Sequence, residues 1–261
     1  MSLVKFDVDG DLGYLTVDNP PLNLMSQGVI DDFTAAVDQI SVAPIRALLI
    51  RSEGPHFMAG ADVHIFQGKS AGQARAMFAR ALPAFARLEE LPFPTVVAVQ
   101  GLCLAAGLEL ALSADILVAG ESARFAQVER HIGTTTLLGG VQRLAERAGS
   151  ARAKQIIFDG DQYSAAQFAQ WNIVNHVVPD AELHERAEKL ARHYAGGPTR
   201  ALAAGKTLIR RYLDVGIRNA DHSVLESATE LFETEDMRSG VEKLLREGPK
   251  AVVGNQAFTG R

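Results

Sequence analysis

Two short alternating runs, VKFDV and LGYLTV, open the chain on either side of Asp9-Gly10-Asp11, and the pattern predicts a β-hairpin. A Pro- and Asn-rich loop, NPPLNLMS, follows, and Ser26 is placed to cap a helix over roughly residues 27 to 41. That helix carries Val29, Phe33, Ala36 and Val37 on one face. RALLIRS reads as a buried strand, and GPHFMAGADVHIF as a loop with small residues at its centre. SAGQARAMFARALPAFARLEEL is helical, with a kink expected at Pro83. PTVVAVQG has no polar face, as in a strand covered on both sides. LAAGLELALSA predicts a short apolar helix and DILVAG another strand. LLGGVQRLAERAG, SARAKQIIF and SAAQFAQW are predicted helices, and NIVNHVV a last strand.

From Asp180 the periodicity is helical only, through ELHERAEKLARHYAGG, PTRALAAGKTLIRRYLDVG and HSVLESATELFETEDMRSGVEKLLREG. Strands alternating with helices, then helices alone, indicate an α/β core over residues 1–180 and a helical region over 181–261. The amphipathic helices of that second region carry more apolar surface than a small appendage can bury on itself, which points to self-association.

The 261 residues are 47% apolar and 22% charged, as in an ordinary globular protein. A net charge of −5 argues against a nucleic-acid partner, whose affinity would come from clustered Lys and Arg. It leaves room for an anionic ligand held by a few local cations and free amides. The single cysteine, Cys103, rules out an intrachain disulfide and reads as a small buried hydrophobe. The opening MSLVKFDVDGD has no apolar or Arg-rich leader, and no apolar run approaches membrane-spanning length. The expectation is a cytoplasmic protein with no membrane partner.

Several motifs fail. No strand is followed by GxGxxG, and no GxSxG elbow or HExxH metal spacing occurs. Gly205-Lys206-Thr207 resembles the end of a phosphate loop, but Arg200 stands where its first glycine belongs. His64 and His131 lie near the loops of interest and read as surface or supporting residues. No metal site is expected.

Two glutamates stand out. Glu109 is embedded in LCLAAGLELALSADILVA, and Glu129 precedes a Gly- and Thr-rich turn in RFAQVERHIGTTTLLGG. A carboxylate among apolar neighbours is costly unless paired or used, and two carboxyls facing one cavity suit acid/base chemistry. Two strand-to-loop junctions, Phe57 to Asp62 and Gln100 to Gly107, offer small residues where backbone can approach a ligand closely. One amide from each, aimed at one carbonyl oxygen, would form an oxyanion hole.

In this combination QGLCLAAGLELALSADILVAGESARFAQVERHIGTTTLLGGVQRL resembles the signature region of the enoyl-coenzyme A hydratase/isomerase (crotonase) family. HFMAGADVHIF resembles that family's other signature, at the expected distance upstream, and the likeness spans nearly the whole chain. The resemblance implies a crotonase-like fold, a ββα spiral core with a helical C-terminal region. It implies that the amides of Ala61 and Ala106 hold a thioester oxygen. Glu109 would activate water for attack at C3, and Glu129 would deliver a proton to C2. Ala59, Gly60, Asp62, Val63, Gly107 and Leu137 would line the acyl-CoA site, with the Ala59 carbonyl near the adenine. Coenzyme A would enter as part of the substrate, with no separate cofactor, and the family's assemblies imply a homotrimer or hexamer.

The chain departs from the pattern at two points. Ala106 replaces the usual glycine, which is tolerable at negative φ. Thr135-Thr136-Leu137 follows Gly133-Thr134 where a proline and a glycine are common, so Leu137 would crowd the water site or shape an acyl pocket. Hydration of 2-enoyl-CoA is the leading expectation. The alternatives are isomerisation or other thioester enolate chemistry, and a CoA- or RNA-binding protein without turnover.

Overall fold

The computed structural model describes residues 2–252 and 257–261, with residues 253–256 of the expected helical region lying outside the described part. The opening hairpin is present: β1 (Val4–Asp9) runs antiparallel to β2 (Leu12–Val17). Ser26 accepts from the Val29 amide and starts α1 (Gln27–Ile40), whose buried face includes Val29, Phe33, Ala36 and Val37 as the periodicity requires. The strand β3 (Ala47–Ser52) leads through the small-residue loop to α2 (Ala71–Glu90). A reciprocal Ser70–Gln73 capping box opens α2, and the helix runs on through Pro83. Phe33 and Phe85 meet at 5.0 Å between ring centroids and seal α1 against α2.

Next come β4 (Thr95–Val99), β5 (Leu102–Leu104), α3 (Ala106–Leu112), β6 (Ile116–Gly120) and β7 (Arg124–Ala126). They are followed by α4 (Gly140–Ala148), α5 (Ser150–Asp159), β8 (Tyr163–Ser164), α6 (Ala165–Gln170) and β9 (His176–Val178). The large sheet has the order β1-β2-β3-β4-β6-β9 and is parallel from β2 onward, while β5, β7 and β8 form a second sheet of three strands.

Two turns of the spiral, β4-β5-α3 and β6-β7-α4, each lay down one large-sheet strand, one small-sheet strand and a helix. The step from β4 to β5 passes through Gly101 at φ 54°, where a Cβ would fall 2.2 Å from the Pro55 carbonyl oxygen. No other residue fits there. The small sheet is the main departure from the sequence reading. LCL and RFA are strands too short to show a period of two, and residues 102–104 were expected in a loop or helix. The last strand is also shorter than NIVNHVV: Ile173 and Val174 pack into the core, and Asn175 accepts from the Leu117 amide.

The core has two compartments. The larger, which includes Leu48, Ile50, Val97, Leu117 and Phe125, lies between the large sheet, the small sheet and the first six helices. The smaller lies on the opposite face of the large sheet, where α7 (Leu183–Ala195) sets Leu183, Ala187, Ala191 and Ala195 on Leu49, Val96, Ala98 and Val118. This is why β4 has no polar face. The remaining helices are α8 (Thr199–Val215), α9 (Ile217–Thr229), α10 (Glu235–Glu247) and a short α11 (Pro249–Val252). The long helical run expected from His222 is broken at Thr234, which caps α10 through the Met237 amide. Lys206 ties α8 to the core through Asp115 Oδ2 at 2.8 Å. Among the described residues no helix is long and apolar enough to cross a membrane.

Candidate active site

The two small-residue loops are bonded to each other. Met58 donates to the Leu102 carbonyl (3.0 Å) and its own carbonyl accepts from Leu104 (2.9 Å), which places Met58 against Cys103 as a one-residue extension of the small sheet. Gly107 permits this approach, since a Cβ there would lie 2.3 Å from the Met58 oxygen. On the other side of the first loop, Met25 donates to Gly60 (2.9 Å) and accepts from Asp62 (3.1 Å), bracketing Ala61. The backbone bonds on both sides of Ala61 are thus spent, while its own amide points the other way. Ala106 is the first residue of α3, so its amide has no partner within the helix. Among the described residues, neither the Ala61 nor the Ala106 amide donates to a backbone carbonyl.

The extra methyl of Ala106 sits on a helical backbone, the condition under which the sequence reading found it tolerable. Ala106 is helical, whereas Ala105 sits at φ 47°, ψ −118°, a region that L side chains rarely adopt. Its Cβ packs beside Gly60, 3.5 Å from where a Cβ would sit on that glycine. Ala59 is half-buried and donates to the Leu22 carbonyl at 3.0 Å. Asp62 accepts from both the amide and the ring of His64 (3.1 and 2.7 Å), forming the cap of a short 3-10 turn, Val63–Ile65. Val63 is 54% exposed at the surface of that turn.

Glu109, in the first turn of α3, is only 3% exposed. Its Oε1 accepts from the amides of Leu138 (2.7 Å) and Gly140 (2.9 Å) at the start of α4. Burial pushes its pKa up to about 7, and the neighbouring charge of Glu129 pushes the same way; the Gly140, Leu138 and Leu137 amides draw it back. Glu129 is half-buried at the start of a 3-10 turn, Glu129–Ile132, and burial raises its pKa as well. The segment between the two acids and α4 packs differently from the sequence expectation. Leu138 is the buried leucine, whereas Leu137 is 38% exposed, and the Thr136 hydroxyl accepts from the Val141 amide at 3.2 Å.

One polar residue in this site went unnoticed in the sequence. Gln127 is buried just past the end of β7, and one end of its side-chain amide lies 2.8 and 3.0 Å from the two Glu129 oxygens; with the nitrogen at that end it donates to both. A Cβ at Gly140 would fall 2.5 Å from the Gln127 amide and 2.9 Å from Glu109 Cγ, so Gln127 and Glu109 flank the same glycine. Glu109, Gly140, Gln127 and Glu129 are thus one contiguous group. His131 lies apart from it, bonded to the Gly160 carbonyl at 3.1 Å. Among the described residues no cluster of His, Cys, Asp or Glu suits a metal ion.

The sequence matches the profile described as enoyl-CoA hydratase/isomerase over residues 8–251. The chain belongs to the enoyl-CoA hydratase/isomerase family. A short-chain-enoyl-CoA hydratase of Clostridium acetobutylicum is 30% identical over 254 residues, covering 95% of this chain and 97% of that protein. A crotonyl-CoA hydratase of Syntrophomonas wolfei is 28% identical over 239 residues, covering 90% and 92%. Among solved structures, an enoyl-CoA hydratase subunit of Geobacillus kaustophilus HTA426 superposes with a TM-score of 0.90 at 28% identity, covering 99% of this chain and 98% of that one. The crotonase fold expected from the sequence is therefore the fold of this family member.

Proposed function

We propose that this chain adds water across the double bond of 2-enoyl-CoA thioesters to give 3-hydroxyacyl-CoA. The observation that carries the reading is the buried Glu109, anchored through one oxygen at the start of α4 and coupled by charge to a second acid, Glu129. The relatives named as short-chain-enoyl-CoA and crotonyl-CoA hydratases support the same reaction class.

In this reading the thioester oxygen lies between the amides of Ala61 and Ala106, with Gly60 and Gly107 setting the gap. Withdrawal of charge onto that oxygen makes C3 electrophilic and stabilises the enolate that forms; one such donor is worth about 3 to 4 kcal/mol in the transition state. With Oε1 of Glu109 held by two amides, Oε2 is the oxygen left to bind water. Glu109 takes a proton from that water as its oxygen bonds to C3, and Glu129 gives a proton to C2. Transfer of the acquired proton from Glu109 back to Glu129 restores the starting state, so H and OH from one water are accounted for. A base with a pKa of about 7 is well matched to this task near neutral pH. The adenine side of coenzyme A runs past Ala59, Asp62 and Val63, and the acyl chain past Leu137. No cofactor is required beyond the coenzyme A of the substrate.

The apolar residues left exposed on α8 to α10 and the turn between α9 and α10, among them Ile209 (63%), Leu225 (71%), Phe232 (62%) and Leu245 (82%), support a homotrimer or hexamer as the working form. The test of the reaction is the loss of 2-enoyl absorbance with crotonyl-CoA and longer thioesters. Glu109→Gln and Glu129→Gln should each slow turnover by about 10²- to 10⁴-fold. Undiminished rates in both variants would overturn the reading. Faster turnover of 3-enoyl than of 2-enoyl thioesters would replace it with isomerisation, and calorimetric binding without product would replace it with a binding role.

A further inference from the structure

We propose that Gln127 is a positioning residue for Glu129: its side-chain amide fixes the carboxyl in the site and takes up the negative charge that appears there when the proton leaves. The rate consequence rests on the hydratase reading above; the effect on Glu129 itself does not.

The geometry is specific. Gln127 is 1% exposed, with its backbone one residue past the end of β7 and its side chain lying between Gly140 and the Glu129 carboxyl. One end of the amide lies 2.8 and 3.0 Å from the two carboxyl oxygens, and an ionised carboxyl, which can only accept, calls for the nitrogen at that end. Those bonds pin both oxygens and select one orientation of a side chain that begins on a single 3-10 turn. Burial raises the Glu129 pKa and its own backbone amide lowers it; a bond donated by Gln127 favours the charged form in the same direction as that amide. The amide also has a second use. Turned by half a rotation, it would present its oxygen to the same two atoms and accept from the protonated acid. One buried side chain can therefore satisfy Glu129 before and after proton transfer.

The other charged groups near Glu129 do not duplicate this. Glu109 on α3 raises the cost of charge at the pair. Arg130 and His131, on the same turn as Glu129, are directed at carbonyls at the end of α5, those of Phe158, Asp159 and Gly160. Asp159 of α5 accepts from the Tyr163 hydroxyl. Among these side chains, Gln127 is the one whose amide lies against the Glu129 carboxyl.

The test is an infrared titration of the full chain, with the Glu129 signal isolated by subtracting the spectrum of Glu129→Gln. Gln127→Met keeps the length of the side chain and removes the donor. It should move the Glu129 midpoint upward by about one pH unit, lower kcat by about tenfold and leave KM nearly unchanged. Gln127→Glu keeps the shape and adds a like charge, and should move the midpoint further up; it serves if the methionine variant does not fold. A midpoint unmoved in the folded variants overturns the proposal, as does a loss of kcat that only follows a fall in melting temperature. If the wild type turns over no enoyl thioester and the midpoint still moves, the hydratase reading fails and the Gln127 assignment stands. If turnover is present and the midpoint is fixed, only the Gln127 assignment fails.

Discussion

The Gly140 amide donates to Glu109 Oε1 at 2.9 Å, and the same residue leaves no room for a side chain, since a Cβ would stand 2.9 Å from Glu109 Cγ. A single glycine thus both anchors the buried acid and keeps it apart from Gln127. Gly140→Ala would also bring the new methyl to 3.2 Å from Thr136 Cγ2. It should lower kcat by about 100-fold and cost about 1 to 3 kcal/mol of stability through overpacking, measurable by enoyl thioester assay and urea denaturation. Wild-type rates in this variant would show that Glu109 is not held as described.

Glu109 should give the chain an inverted dependence of stability on pH. A carboxyl whose folded pKa is about 7, against 4.5 when unfolded, binds its proton more tightly in the folded state. Its contribution is therefore neutral below about pH 4.5, becomes destabilising as pH rises toward 7, and is constant above that. The cost at pH 8 is about 3 kcal/mol. Glu109→Gln removes this cost and keeps an oxygen for the Leu138 and Gly140 amides. The variant should turn over slowly yet be more stable than the wild type at pH 8, by about 1 to 3 kcal/mol, with the difference vanishing near pH 4.5. Equal urea midpoints at both pH values would refute the raised pKa.

The rate should also report this ionisation. If Glu109 is the base toward water, kcat/KM with crotonyl-CoA rises with pH along a limb centred near 7. A flat profile between pH 5.5 and 8.5 would assign the limiting proton transfer elsewhere.

Gly107→Ala should separate the two loops. Its methyl would stand 2.3 Å from the Met58 carbonyl oxygen, a backbone atom that cannot swing away. The expected result is a loss of about 2 kcal/mol or more in stability, together with a fall in kcat/KM of about 100-fold as the Ala61 and Ala106 amides move out of register.

Ala105→Gly should act in the opposite sense. Ala105 is held at φ 47°, where a Cβ costs about 1 to 2 kcal/mol. Its replacement by glycine should raise stability by about 1 kcal/mol, despite the larger entropy of glycine in the unfolded chain. A drop in melting temperature would show that the methyl contributes more by packing against Gly60 than it costs in strain.

Glu109 was legible in the sequence because a charge among eight or more aliphatic and small residues has no local explanation. The loop amides were legible as a resemblance, but their mutual bonding was not, because Met58 and Cys103 meet through one residue each. Gln127 escaped notice for a related reason. Between Ala126 and Val128 a glutamine looks like the solvent face of an alternating strand, and only the return of the chain at Gly140 buries it. The sequence drew attention to the Ala106 methyl, which is tolerated on the helix, while the unusual backbone lies one residue earlier, at Ala105, where nothing in the sequence marks it. Likewise Leu137 drew attention through its position in the motif, whereas Leu138 is the residue that goes inside. Long-range closure decides each of these cases, and no local period encodes it.

The Met58–Cys103 bridge makes the rim of the site one rigid piece rather than two hinged ones. A ligand of unusual thickness cannot widen the slot by displacing one side alone, since both sides share the same ladder. In the proposed reading, tolerance for bulkier or shorter acyl groups falls to the segment around Leu137, which is more exposed than the bridged loops.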